Sequence, residues 1–258
     1  MSGVKVLRSL IAYLWLSLAL VICLPLRASV NKLAETDFTK AQAKMWSFAS
    51  WIGRMGCRTI GVKLTVKGVE NVPMDGSVVF VGNHQSMFDA PVMLAAIPRP
   101  SSFIVKEELK KVPVFSGWIE AMSCFFLPRG ESRKSLEIII AAAKLLKQHD
   151  HGMVIFPEGT RSEDGSMRPF KPGSLKIATR SGSAIVPFAI EHSIDVMPRG
   201  TIWMKKTPVT VTFLPAISPE EAKAKDTTEL TRGIVHDIAG IVGCPVPSED
   251  TPEEQQAV

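Results

Sequence analysis

Between Val62 and Leu214 the chain alternates short apolar runs with stretches whose apolar positions recur every three or four residues. Seven runs read as strands: Val62–Val66, Val78–Val81, Phe103–Val105, Cys124–Leu127, Met153–Phe156, Ile185–Ile190 and Val209–Leu214. Val78–Val81 and Met153–Phe156 are apolar without interruption, the pattern of strands covered on both faces. Helical spacing is clearest from Ser132 to Gln148, where Leu136, Ile139, Ile140, Ala143 and Leu146 predict one core-facing stripe. A second helix is predicted from Ser218-Pro219-Glu220-Glu221, a capping box with proline in the first turn, through Leu230, Ile234, Ile238 and Ile241 to Gly243. Strands alternating with helices predict an α/β fold, a mixed sheet flanked by helices.

Ahead of this body the pattern changes. Leu10 to Leu26, LIAYLWLSLALVICLPL, is seventeen uncharged residues between Arg8 and Arg27, against the roughly 20 of a comfortable transmembrane helix. Basic residues on both flanks leave no asymmetry to orient a span. A cleaved signal peptide is a rival, but Leu26-Arg27-Ala28 is a poor small-residue cleavage site. From Thr39 to Thr59, Met45, Phe48, Ala49, Ile52 and Met55 share one helical arc, Lys40, Lys44, Arg54 and Arg58 the next, and Trp46 and Trp51 flank them. That arrangement predicts a helix lying in a membrane interface; the alternative is a helix packed on the body with its basic side in water. The expected organisation is an N-terminal two-helix membrane anchor over 1–60, monotopic or spanning, an α/β domain over 61–243, and a disordered acidic tail over 244–258.

Charge sharpens this division. Residues 1–67 hold ten Lys/Arg and two Asp/Glu, a local net of +8, whereas the whole chain of 258 residues carries +5. The basic surplus sits beside the apolar segments, where it suits anionic lipid headgroups. No basic–aromatic repeat in the body points to nucleic acid. Four scattered cysteines without paired spacing predict neither a zinc site nor a disulfide framework. They fit a reducing compartment, with a membrane-associated active site facing the cytoplasm.

The candidate chemistry gathers at strand ends. Val78–Val81 runs into Gly82-Asn83-His84, so His84 is expected at a strand's carboxyl end, where ligands bind in open α/β sheets. Asp89 follows five residues later at a predicted helix start. It can turn back onto the imidazole, fix its tautomer and support a general base. Met153–Phe156 ends in Pro157-Glu158-Gly159-Thr160-Arg161-Ser162, offering a permissive glycine, a guanidinium fork suited to phosphate and a carboxylate to brace it or accept from a substrate hydroxyl. Lys106 and Arg129 end two other strand candidates, and Lys171 precedes a predicted helix start, a place favourable for anions. The whole describes a site for an anionic substrate.

These residues carry a resemblance. Asn83–Asp89, NHQSMFD, resembles the NHxSxxD signature of glycerolipid acyltransferases, and Phe156–Ser162 is similar to their FPEGTRS block. Phe125–Arg129 looks like their arginine-bearing second block, with Leu127-Pro128 in place of the usual pair before the arginine, and Val186-Pro187 matches the short fourth. The resemblance covers about residues 60–215, and its EGTRS form looks most like 1-acylglycerol-3-phosphate (lysophosphatidate) acyltransferases. It implies His84 as general base, Asp89 as its orienting partner, Arg161 and Arg129 as phosphate ligands, Glu158, Gly159 and Thr160 lining the acceptor pocket, and Lys106 assisting phosphate or oxyanion. It implies direct transfer from acyl-CoA or acyl carrier protein to the sn-2 hydroxyl of lysophosphatidic acid at a membrane phospholipid surface, with no cofactor, no metal and no nucleic acid.

Two rivals belong to other classes. A Ser/His/Asp lipid hydrolase needs a nucleophile, and Ser86, the serine of the central motif, has no GxSxG elbow. A non-catalytic lipid-binding protein needs no His–Asp pair. His149, His151, His192 and His236 lie outside the motifs and read as surface or packing residues.

Overall fold

The structure, a computed structural model, describes residues 3–128, Gly130 and residues 132–247. Arg129 and the tail from Ser248 onward lie outside the described residues.

All seven predicted strands form, as β1 (Lys63–Lys67), β2 (Val78–Gly82), β3 (Ser101–Lys106), β4 (Phe125–Leu127), β5 (Gly152–Ile155), β6 (Ala184–Glu191) and β7 (Pro208–Phe213). They make one mixed sheet in the order β1-β7-β6-β2-β5-β3-β4. Among the described residues β6 and β7 form the one antiparallel strand pair, with an isolated antiparallel bridge from Ile185 to Ile217. β2 lies between β5 and β6, with Phe80 opposite Val154 and Val186. Every β2 residue is buried, and its alternating side chains divide the core. Val78 and Phe80 belong to a cluster with the N-terminal helices, whereas Val79 and Val81 face helices from the second half of the chain. Among the described residues ten α-helices flank the sheet: α1 (Gly3–Ile22), α2 (Leu24–Ala34), α3 (Phe38–Ile60), α4 (Asp89–Ala96), α5 (Phe115–Ala121), α6 (Ser132–Gln148), α7 (Lys176–Ser181), α8 (Ser193–Val196), α9 (Pro219–Ala224) and α10 (Thr227–Val242).

Three helices, not two, precede the sheet. The apolar stretch Leu10–Leu26 is not one helix, because the chain breaks at Cys23 and restarts with Pro25 in the first turn of α2. Proline inside a continuous helix would lose a hydrogen bond and clash with the preceding turn, whereas at a helix start it costs nothing. α1 is the one helix among the described residues long and apolar enough to cross a membrane. One side of it is tied to the body. The Met204 N–H donates to Ser9 Oγ at 2.8 Å, the Tyr13 hydroxyl donates to the Ile202 carbonyl at 2.6 Å, and Trp118 Nε1 donates to the Leu20 carbonyl at 3.1 Å. The opposite side exposes Val4, Leu7, Leu10, Ile11, Leu14, Leu18, Val21 and Ile22, a row at helical spacing.

α3 corrects the interfacial reading. Met45, Phe48 and Ala49, the arc expected against lipid, are buried in the core. α3 packs so closely on α4 that a Cβ at Gly53 would come within 2.7 Å of the Pro91 carbonyl oxygen. Phe48 stacks on Trp118 with centroids 4.7 Å apart. Lys40, Lys44, Arg54 and Arg58 are exposed, so the protein-packed alternative holds: an apolar stripe has the same periodicity whether lipid or protein covers it.

Two helix readings also change. On α6, Ala142, Ala143 and Leu146 are buried but Leu136 and Ile140 are exposed, so the inner stripe is narrower than its spacing predicts. The helix from Ser218 is two, α9 with its capping box and α10 with Asp226 as a second N-cap accepting from the Thr228 N–H.

Of the histidines outside the motifs, His149 stacks on Phe38 with centroids 4.0 Å apart, while His151 is buried. Its Nε2 lies 2.8 Å from Ser102 Oγ, and that hydroxyl donates to the Met122 carbonyl, so Nε2 carries the hydrogen. Burial, helped by the charge of Arg99, holds the His151 pKa down to about 4. The unfolded chain takes up this proton below about pH 6.5 and the folded chain does not, so stability should fall as pH drops from about 6.5 towards 4. His151→Gln should flatten that part of the stability profile, as measured by urea midpoints across the range. An unchanged slope would reject the assignment.

Candidate active site

The parallel strands β2, β5, β3 and β4 run in one direction, so their carboxyl ends meet at one edge of the sheet. His84 follows β2 there, Phe156 to Arg161 follow β5, and Lys106 closes β3. Arg129, two residues past β4 in the sequence, lies outside the described residues.

The NHQSMFD segment is held from three sides. Asn83 clamps it to β6, its Nδ2 donating to the Ile190 carbonyl at 2.9 Å and its Oδ1 accepting from the Ile190 N–H at 2.8 Å. Gln85 Oε1 accepts from the Ser193 N–H at 3.2 Å, and its Nε2 donates to the Gly165 carbonyl at 3.3 Å.

Asp89, the first residue of α4, turns its carboxylate back as the spacing predicted. Oδ2 accepts from His84 Nδ1 at 2.7 Å and from the N–H groups of Gln85 at 2.8 Å and Ser86 at 3.0 Å. Oδ1 accepts from the Ser193 hydroxyl. Asp89 is fully buried, while the His84 side chain is 19% exposed. Four donors offset the desolvation of a buried carboxylate and keep it an acceptor, so Nδ1 carries the imidazole hydrogen and Nε2 is left as the basic atom. The imidazole stacks on Phe156 with centroids 4.3 Å apart and planes at 23°, which fixes the direction Nε2 faces.

Ser193 escaped the sequence reading. It begins α8, directly after His192 in the left-handed region at φ 68°, and it meets Asp89 from 104 positions away. No local spacing could reveal that contact. Ser193→Ala leaves Oδ1 without its donor. A hydrogen bond to a charged group contributes about 1.5–3 kcal/mol, so kcat should fall roughly tenfold, the equivalent of about 1.4 kcal/mol, with KM for the acceptor little changed. A rise in KM at constant kcat would place Ser193 in substrate binding instead.

Glu158 has a different place from the one expected. It neither braces Arg161 nor opens to the edge. Its Oε1 accepts from the His84 N–H at 2.9 Å and its Oε2 from the Arg168 N–H at 3.2 Å. The carboxylate thus ties the two motif loops together, as does the Ser162 N–H donating to the His84 carbonyl at 2.8 Å. Burial pushes the Glu158 carboxyl up to about 8, against the lowering effect of the His84 and Arg168 N–H donors.

The turn after β5 passes through Gly159 at φ 69°, a conformation costly for a side chain. It leaves Gly159 exposed and Thr160 and Arg161 half-buried. Arg161 makes no hydrogen bond or ion pair among the described residues. The Lys171 ammonium comes close to the same turn, about 3.7 Å from where a Cβ on Gly159 would lie. Arg161 and Lys171 therefore carry positive charge at the turn that the Ser162 N–H ties to the His84 carbonyl, whereas the neighbouring Arg168 and Arg199 are both engaged by Glu163. Ser86 is no nucleophile: it is buried, its hydroxyl donating to the Met197 carbonyl at 3.0 Å and accepting from the Phe88 N–H at 3.2 Å.

This geometry provides an oriented, partly exposed base and an adjacent cationic turn. A family model described as acyltransferase matches residues 63–191, half of the chain. The chain is 27% identical over 171 residues to a 1-acyl-sn-glycerol-3-phosphate acyltransferase of Borreliella burgdorferi, covering 66% of this chain and 68% of that protein. It is 32% identical over 140 residues to a chloroplastic protein of the same name from Arabidopsis thaliana, covering 54% of this chain but only 39% of the longer plant protein. Among solved structures it is similar to the crystal structure of the 1-acyl-sn-glycerophosphate (LPA) acyltransferase PlsC from Thermotoga maritima, 26% identical with a TM-score of 0.80 over 93% of this chain and 95% of that one.

Proposed function

The chain belongs to the acyltransferase family, and from that premise we propose that it transfers a fatty acyl group from a thioester to the sn-2 hydroxyl of 1-acylglycerol-3-phosphate, giving phosphatidic acid for phospholipid synthesis. The observation that carries the reading is the His84–Asp89 pair at 2.7 Å, set beside the cationic turn of Arg161 and Lys171. The relatives' names supply the acceptor.

His84 Nε2 takes the proton of the acceptor hydroxyl as the oxygen bonds to the thioester carbonyl carbon. The buried Asp89 carboxylate stabilises the imidazolium that forms. Collapse of the tetrahedral intermediate breaks the carbon–sulfur bond, and the imidazolium returns its proton to the departing thiolate. No acyl-enzyme is needed. Arg161 receives the acceptor phosphate, with Lys171 and Lys106 as further cations of that edge and Arg129 as a further ligand on the sequence resemblance alone, while Glu158 holds the loops rather than the substrate. Acyl-CoA and acyl carrier protein thioesters both fit this chemistry.

The acceptor is a membrane lipid, and the exposed apolar row of α1 supports attachment to one face of a bilayer. The polar ties of Ser9, Tyr13 and Leu20 to the body favour a helix lying in the leaflet over one crossing it, with the active site on the cytoplasmic side. Leu7→Asp, Leu14→Asp and Leu18→Asp combined should leave the full-length protein in the aqueous fractions of a vesicle flotation gradient. Undiminished flotation would refute the attachment.

The reaction itself is tested by thiol release from acyl-CoA and from acyl carrier protein, each with and without 1-acylglycerol-3-phosphate. Acceptor-dependent release is expected. Release indifferent to the acceptor would mean a hydrolase, and none with either donor a binding protein.

A further inference from the structure

The segment from Lys110 to Phe115 leaves six consecutive residues exposed, KKVPVF. Val112, Val114 and Phe115 are 42%, 38% and 37% exposed, a contiguous apolar tip of a kind soluble surfaces rarely carry without use. Its backbone is unusual too. Val114 lies at φ 64° and ψ −50°, and the Phe115 N–H donates to the Pro113 carbonyl at 2.6 Å, closing a three-residue γ-turn in the conformation that a β-branched residue seldom adopts. The turn pushes valine and phenylalanine outward at its apex.

Two features say what covers this tip. The first is charge: Lys111 precedes it and Arg27 flanks it, with Arg27 Nη1 donating to the Val114 carbonyl at 3.5 Å, while Lys110 before them lies 3.6 Å from Glu107 and over the Phe126 ring. The second is continuity. Trp118, one turn into α5, is bonded to the carbonyl of Leu20 at the end of α1, next to the exposed Val21 and Ile22. The tip therefore lies near the C-terminal end of α1, where its exposed apolar row finishes at Val21 and Ile22.

We propose that Val112–Phe115 is a second membrane-inserting element, entering the same anionic leaflet as α1 with Lys110, Lys111 and Arg27 at headgroup level. This rests on the membrane reading of α1. A helix lying in a leaflet fixes depth but leaves the body free to roll about the helix axis. A second insertion point off that axis removes the roll. The tip follows β3, whose last residue Lys106 lies at the same sheet edge as His84, so inserting it turns that edge towards the bilayer in which a lysophospholipid acceptor resides. Apolar tip and basic collar are the two contributions that bind an interfacial element to anionic lipid.

The test uses the full-length protein with a fluorescent amino acid placed at position 115 or, separately, at position 14 on α1. Each is mixed with phosphatidylcholine–phosphatidylglycerol vesicles whose acyl chains carry a nitroxide quencher. Loss of emission at both positions is expected. Quenching at 14 but not at 115 overturns the second insertion and leaves α1 as the anchor. Absence of quenching at both overturns the membrane reading itself. A probe at 115 shielded only on adding acyl carrier protein would make the tip a carrier-protein dock and overturn the proposal.

Discussion

His84→Ala is expected to lower kcat by on the order of 10²–10⁴, the usual contribution of a general base, while thermal stability and vesicle flotation stay close to wild type. The side chain is spared from the core: its polar contact is Asp89 and its apolar contact the Phe156 ring. Its backbone bonds to Glu158 and Ser162 survive truncation. Asp89 keeps three of its four donors, from Gln85, Ser86 and Ser193. Asp89→Asn makes a harsher variant, because an amide nitrogen placed at Oδ2 would face the N–H groups that the carboxylate accepts and would impose the wrong imidazole tautomer, while the other amide orientation keeps an acceptor there but loses the charge that stabilises the imidazolium. It should lose activity and stability together, so His84→Ala is the cleaner measurement. Turnover within threefold of wild type for His84→Ala would remove the general-base assignment, whatever the pair's geometry.

Arg161→Lys should lower kcat/KM for lysophosphatidate at least tenfold, about 1.4 kcal/mol, although it preserves charge. Arg161 makes no bond within the described residues, so its guanidinium is available to a ligand and its loss disturbs no fold contact. A guanidinium can hold a phosphate through two parallel charge-assisted hydrogen bonds, which the ammonium of lysine cannot reproduce. The comparison that decides is with monoacylglycerol, the same acceptor without its phosphate. Wild type should strongly prefer lysophosphatidate, and the variant should lose much of that preference while its poor monoacylglycerol rate stays nearly constant. An equal fall with both acceptors would move Arg161 to the transfer step and leave the phosphate to Lys171, Lys106 or Arg129.

The seven strands and the edge that carries the chemistry follow from the sequence alone, because a strand buried on both faces must be continuously apolar and its end must be marked by the residues that stop it. Val78–Val81 running into Gly82-Asn83-His84 states both facts locally, and the His–Asp spacing needs only one turn of chain to close. Pro25 likewise carries the helix break in its own chemistry. What only the tertiary structure decided are relations across distance: Ser193 on Asp89 from 104 positions away, Glu158 turned from the substrate to the N–H groups of His84 and Arg168, and α3 seated on α4 instead of lipid. Periodicity records that a helix has an apolar side, and a carboxylate records that it needs donors. Neither can name the partner, because the hydrophobic effect is indifferent to what excludes the water, and a buried acceptor is satisfied by whichever N–H or O–H the fold brings within reach.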